Sequence, residues 1–260
     1  MIHLFHGKDD YQVRHAAREI RDRLRASDDM LDSNTTTLDG AAITPQELLA
    51  HATAVPFLAA NRLVFVEGLL RAIGSERGGR RKKTDDDPLA PWRAAVATLG
   101  DAATMPPTTT LIFVEGELAK TNQGFAIFAP IARAQEFPLL STGELPDWIS
   151  RRAGDKGVKL APRALAALAQ LIGPDLWTLD NELDKLAAVS EGALIEPELI
   201  AEVVSAAQET KVWDLTDAIV AGEDRKALAS LGALLSQGEP VQMLQFMIAR
   251  QFRQLLLVKD

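Results

Sequence analysis

The 260-residue chain contains no cysteine. That excludes disulfides, thiol nucleophiles and cysteine-ligated zinc or iron–sulfur sites, and it fits a reducing compartment. Positive charge is not in excess either: 28 Lys and Arg stand against 36 Asp and Glu, a formal net charge of −8. Bulk gripping of phosphate backbones is not expected from that balance. No apolar run approaches the length of a bilayer, and Met1-Ile2-His3-Leu4-Phe5 meets polar residues too early for a signal peptide. A cytoplasmic location without a membrane partner is the expectation. The four histidines, His3, His6, His15 and His51, lack metal-ligand spacing and suit surface or turn roles, and no serine sits in a G-x-S-x-G elbow. Neither a metal centre, a cofactor nor catalytic residues are expected.

What is present is an ordinary globular mixture, 47% hydrophobic and 25% charged, in a chain long enough for two or three domains. The first part alternates strand and helix signals. Ile2–Phe5 is a short apolar run, and Asp9 is placed to N-cap a helix carrying Val13, Ala17, Ile20 and Leu24. Asn34–Leu38 is Thr-rich and β-prone, and Thr44-Pro45-Gln46-Glu47 has the capping-box form for a helix reaching Thr53. Leu63–Val66 and Leu111–Val114 are continuous apolar runs, the mark of strands covered on both faces; Glu136–Leu140 is a further strand candidate. This alternation predicts an α/β domain with a doubly wound, mostly parallel sheet over residues 1–141.

From Leu145 onward the apolar spacing is helical and no strand is expected. One helical domain is read over 142–207. Another, over 208–260, has helical patterns at Trp213–Ala221, Arg225–Leu235 and Val241–Val258. The segment 74–88 is a polar insertion in which a basic run, Arg77 to Lys83, meets Asp85, Asp86 and Asp87; a solvated loop is the expectation.

A doubly wound sheet raises the question of nucleotide binding where its first strand meets its helix. The residues there are His6-Gly7-Lys8-Asp9-Asp10. A phosphate loop needs G-x-x-x-x-G-K-[ST], so that successive backbone N–H groups converge on phosphate and Lys reaches the outer oxygens. Only the Gly7-Lys8 dipeptide is present, and Asp9 and Asp10 would repel phosphate. Glu115 and Glu117, after the strand ending at Val114, are read as solvating its end. In Ala54-Val55-Pro56-Phe57-Leu58-Ala59-Ala60-Asn61-Arg62, Pro56 stops the preceding helix, so Phe57 and Leu58 fall in a connection. Such a loop either tucks under the sheet or presents an apolar plug to a partner.

Several segments, in order along nearly the whole chain, resemble the delta subunit of bacterial DNA polymerase III. They are His6–Arg14, Val55–Val64, Leu145–Ile149, Asp180–Leu186, Val212–Ile219 and Arg250–Leu256. The resemblance implies a clamp-loader subunit built from a degenerate AAA+ (P-loop NTPase-like) domain, a helical lid and a helical collar. Such a subunit has no catalysis of its own, within a holoenzyme that is a DNA-directed DNA polymerase, a nucleotidyltransferase. Its implied partners are the beta sliding clamp, the gamma/tau and delta prime subunits through the collar and, weakly or indirectly, primer-template DNA. The family's clamp-binding pair falls on Phe57 and Leu58, after Pro56, which favours the plug. No arginine stands in Gly173-Pro174-Asp175-Leu176-Trp177, where relatives carry an ATP-sensing one, and the collar normally continues beyond the residues found here, so a partial collar is implied. Two competing readings are an active ATP-binding AAA+ subunit, resting on Gly7-Lys8, and a DNA-binding helical protein using Arg77 to Lys83.

Overall fold

Strands that are apolar at every position need cover on two sides, and the computed structural model provides it. The structure describes residues 1–75, 87–204 and 215–236, with Val241, Gln245, Ile248, Ala249, Phe252 and Arg253. The chain divides into two units, Met1–Leu140 and Ser141–Asp260.

In the first unit, strands β1 (Ile2–Gly7), β2 (Thr35–Asp39), β3 (Arg62–Glu67), β4 (Thr109–Val114) and β5 (Arg133–Phe137) form one parallel sheet in the order β2-β3-β4-β1-β5. Helices α1 (Asp10–Arg25), α2 (Pro45–Thr53), α3 (Leu69–Ser75), α4 (Ala90–Gly100) and α5 (Gln123–Phe128) connect them. Period-2 alternation sends Leu63, Ile112 and Val114 to one face, where they meet Val13 and Ala17 of α1. Val64, Val66, Leu111 and Phe113 take the other face, against Leu48 of α2, Leu70 of α3, Trp92 of α4 and Phe128 of α5. The Phe113 and Phe128 rings meet edge-on at 4.9 Å. Each such fully buried side chain contributes roughly 1.5–3 kcal/mol, so these two layers hold the sheet.

The helix starts follow the sequence signals. Asp9 accepts from the Gln12 N–H at 3.0 Å, and Thr44 and Glu47 form the reciprocal capping box of α2. Two strand ends differ from expectation. The fifth strand covers Arg133–Phe137, not Glu136–Leu140. It is an edge strand paired only with β1, in register His3↔Arg133 to Gly7↔Phe137, and four of its five residues are exposed, so no apolar run marks it. The second strand starts at Thr35, because Asn34 ends a 3-10 turn, Asp32–Asn34.

The second unit contains α6 (Leu145–Asp155), α7 (Pro162–Ile172), α8 (Leu176–Ser190) and α9 (Pro197–Val203), then α10 (residues 215–220) and α11 (Asp224–Ser236). Ile149, Leu168, Leu179, Leu183, Leu186 and Ile200 are fully buried there. The expectation of no strand is corrected: β6 (Lys159–Leu160) and β7 (Leu194–Ile195) pair in parallel. Two residues are too few to show a period-2 pattern. Asp180 of α8 takes Arg152 Nε at 2.6 Å and Lys156 Nζ at 3.0 Å, both from the C-terminal end of α6 or just beyond it. Burial opposes the charge of Asp180, but the hydrogen bonds and positive charge of Arg152 and Lys156 hold its carboxyl below the usual range. Leu215 and Leu234 join α10 to α11, with Ile248 packed against them. Residues 76–86 of the insertion, Trp213, Arg250 and Lys259 lie outside the described residues.

Candidate functional site

The helix α2 ends where Pro56 requires it to. Ala54 is already extended, with φ −65° and ψ 136°, and the chain bends until β3 starts at Arg62. Within this connection Val55, Phe57 and Leu58 are 78%, 73% and 75% exposed. The loop does not tuck back under the sheet. Leu58 sits at φ +52°, a left-handed conformation that is rare for a branched aliphatic residue and persists where neighbours hold it.

The neighbours that hold it come from the turn before β2. Leu31 is fully buried and fixes this turn to the core beside α1. Asn34, 3% exposed, accepts from the Phe57 N–H at 2.6 Å and donates to the Phe57 carbonyl at 2.9 Å. Its amide also reaches the Met30 carbonyl at 3.0 Å. Buried Asp28 accepts from the Asn61 N–H at 2.8 Å and from the Asn61 side chain at 3.3 Å. Burial alone would raise the Asp28 pKa, yet hydrogen bonds from Asn61, Met30 and Ala60 pull it below the usual carboxylate range. Arg62 Nε donates to the His51 carbonyl at 2.8 Å, closing the base of the loop. Sequence reasoning missed Asp28, Asn34 and Val55. The β-prone run starting at Asn34 hides its role: Asn34 ends a 3-10 turn, and only its buried polarity, which no local pattern reveals, distinguishes it.

The opposite edge of the sheet, where the strands end, is filled. Gly7 has φ +146°, and a Cβ there would lie 2.1 Å from the Phe137 carbonyl oxygen. Its N–H donates to the Gly116 carbonyl at 3.1 Å, and the Asp9 N–H donates to Phe137 at 3.1 Å. With Gln12 N–H taken by Asp9, three donors in this turn are committed within the protein. Exposed Lys8 pairs with Glu117 at 3.3 Å. Glu115 corrects the expectation that it solvates the strand end. It is 2% exposed and accepts from the Leu70 N–H at 2.7 Å and the Arg71 N–H at 3.3 Å at the start of α3. Burial pushes its pKa up to about 7, against the lowering effect of those N–H groups.

His3 and His6 are half-buried on β1, not in a turn, because that strand is internal to the sheet. The His3 ring lies 5.7 Å from that of Phe5, and the His6 ring meets Phe125 edge-on at 5.0 Å. Burial lowers both pKa values. Among the described residues no group of three or more His, Asp or Glu side chains could hold a metal ion. No helix among them is long and apolar enough to cross a membrane. In the second unit Gly173 closes α7 at φ +72°, Asp175 caps α8 by accepting from the Thr178 N–H at 3.1 Å, and Trp177 is partly exposed on the first turn of α8.

The architecture is a unit built on a five-stranded parallel sheet, followed by a mainly helical part. Its structural likeness includes the DNA clamp loader delta protein YqeN of Bacillus subtilis, at TM-score 0.67 and 19% identity, covering 97% of this chain and 72% of that one. The RuvB Holliday junction branch migration motor of Thermotoga maritima is more distant, at TM-score 0.49 and 15% identity, covering 88% of this chain and 74% of that one. No curated protein matches the sequence. Residues 209–260 match the family described as DNA polymerase III delta subunit, C-terminal domain. The chain is delta-subunit-like, in its fold over almost its whole length and in its sequence over those residues.

Proposed function

We propose that this chain works as a clamp-loader delta subunit of a bacterial DNA polymerase III, binding the ring-shaped beta sliding clamp and holding one of its interfaces open during loading onto primed DNA. The observation that carries the reading is the exposure of Phe57 and Leu58, side by side after Pro56, on a loop whose backbone is held from below. Large apolar side chains in such a position bind by entering a partner's pocket, where a few anchors dominate the affinity. Ring opening then requires that the plug fit the open clamp better than the closed one, since a ligand shifts an equilibrium only by its differential affinity.

The filled turn at Gly7 and Asp9 supports a subunit that leaves ATP turnover to other subunits of the loader, whose gamma/tau and delta prime members are its neighbours. In this reading the lid spans 142–207, the collar that meets those neighbours begins at 208, contact with primer-template DNA is indirect, and the site of action is the cytoplasm. Titration with labelled ATP and magnesium is expected to show no saturable micromolar binding. The direct test is calorimetric titration with the sliding clamp of the same organism. The native chain is expected to bind and the Phe57→Ala, Leu58→Ala double variant to fail, with the circular dichroism of the two alike. Equal clamp affinity in the two proteins removes the assignment of these residues.

A further inference from the structure

The exposed loop is built so that its shape does not depend on its partner. Both backbone polar groups of Phe57 are taken by one buried side chain, Asn34, at 2.6 and 2.9 Å, an arrangement equivalent to one rung of a strand pair. Four residues further on, Asn61 is held by the buried carboxylate of Asp28 through its N–H at 2.8 Å. Asn34 and Asp28 are linked in turn through Met30, whose carbonyl receives the Asn34 amide at 3.0 Å and whose N–H reaches Asp28 at 3.2 Å. Between the two clamped points lies Leu58 at φ +52°, a conformation the free chain rarely visits. Burying a carboxylate and a carboxamide is unfavourable unless their bonds are made, so their placement here needs a return.

We infer that Asn34 and Asp28 are positioning residues that preset the Pro56-Phe57-Leu58 plug in its binding conformation before the partner arrives. The inference rests on the reading of that loop as the clamp-binding element. Neither side chain reaches the partner; each acts through the backbone of the loop. When a binding-competent conformer is only a fraction of the population, apparent affinity falls by that fraction, and the loss appears in association because fewer encounters find the right shape.

The test is surface plasmon resonance of the full chain on the immobilised sliding clamp of the same organism. It compares the native protein with Asn34→Ala, with the nearly isosteric Asp28→Asn, and with the Phe57→Ala, Leu58→Ala double variant as reference. The expected result is an association rate lowered about tenfold in each positioning variant, the size of effect that losing a net hydrogen bond gives. Dissociation is expected within about twofold of native and the saturating signal unchanged, because the same plug enters the same pocket. A role confined to folding would lower the saturating signal and leave both rate constants of the active protein alone, which overturns the inference. Native association rates in both positioning variants, with binding lost in the double variant, overturn it and leave the clamp-binding reading intact. Undiminished binding by the double variant overturns both.

Discussion

The two edges of the central sheet make opposite use of the same materials. At the edge where strands end, the backbone turns back on itself: Gly7, Asp9 and Gln12 spend their N–H groups on Gly116, Phe137 and Asp9, and buried Glu115 takes the first donors of α3. At the edge where strands begin, buried Asp28 and Asn34 also collect backbone donors, yet what they stabilise is a loop that puts Phe57 and Leu58 into water. An open α/β sheet ordinarily binds ligands outside the ends of its strands. Here three donors of the turn after β1 are taken by the protein's own hydrogen bonds, and the loop carrying exposed Phe57 and Leu58 lies at the other end.

The largest effect that sharpens this comparison is on binding. Truncating Phe57 and Leu58 together is expected to weaken clamp binding by about a thousandfold, on the order of 4 kcal/mol, with thermal unfolding unchanged because neither side chain is buried. At the filled edge the expected losses are in stability. Gly7→Ala drives a Cβ to 2.1 Å from the Phe137 carbonyl oxygen at a positive φ and is expected to destabilise the first unit by about 3 kcal/mol in urea unfolding. A native midpoint for this variant would show that the turn is loose enough to admit a ligand.

Glu115 gives that edge a pH dependence. With its folded pKa raised to about 7, it keeps a proton that the unfolded chain releases near 4.5. Its contribution to stability is therefore fully present below about pH 4.5 and lost as pH rises towards 7. Glu115→Gln is expected to remove that slope and to gain roughly 2 kcal/mol on the native protein between pH 5 and pH 8, read from denaturant midpoints at the two values. The smallest effect concerns the helix leading into the loop that carries Phe57 and Leu58. Thr44→Ala breaks an exposed capping box and is expected to lower stability by about 1 kcal/mol with clamp affinity kept within about twofold.

Much of the first unit was legible because its signals are local. The apolar runs of β3 and β4, the cap at Asp9 and the box at Thr44 each need only a few neighbouring residues to read, and the helix stop at Pro56 placed Phe57 and Leu58 in a connection. The edge strand β5 was misplaced because its pairing with β1 is by backbone alone and its side chains are mostly exposed. The strands β6 and β7 were missed because two residues carry no period. Of the candidate site, the apolar pair was readable and its support was not. Asp28 and Asn34 precede the loop they hold by more than twenty residues, and only the folded chain brings them beneath it. Glu115 was misread for a similar reason: a glutamate at a strand end is ordinarily solvated, and only the arrival of α3 buries it.

The partner is expected to engage the edge where the strands begin. Placing a photo-crosslinking amino acid at position 57 in one protein and at position 8 in another, then irradiating each with the organism's sliding clamp, tests it most directly. A covalent adduct with the clamp is expected from position 57 and none from position 8. An adduct from position 8 alone would place the interface at the filled edge and contradict it.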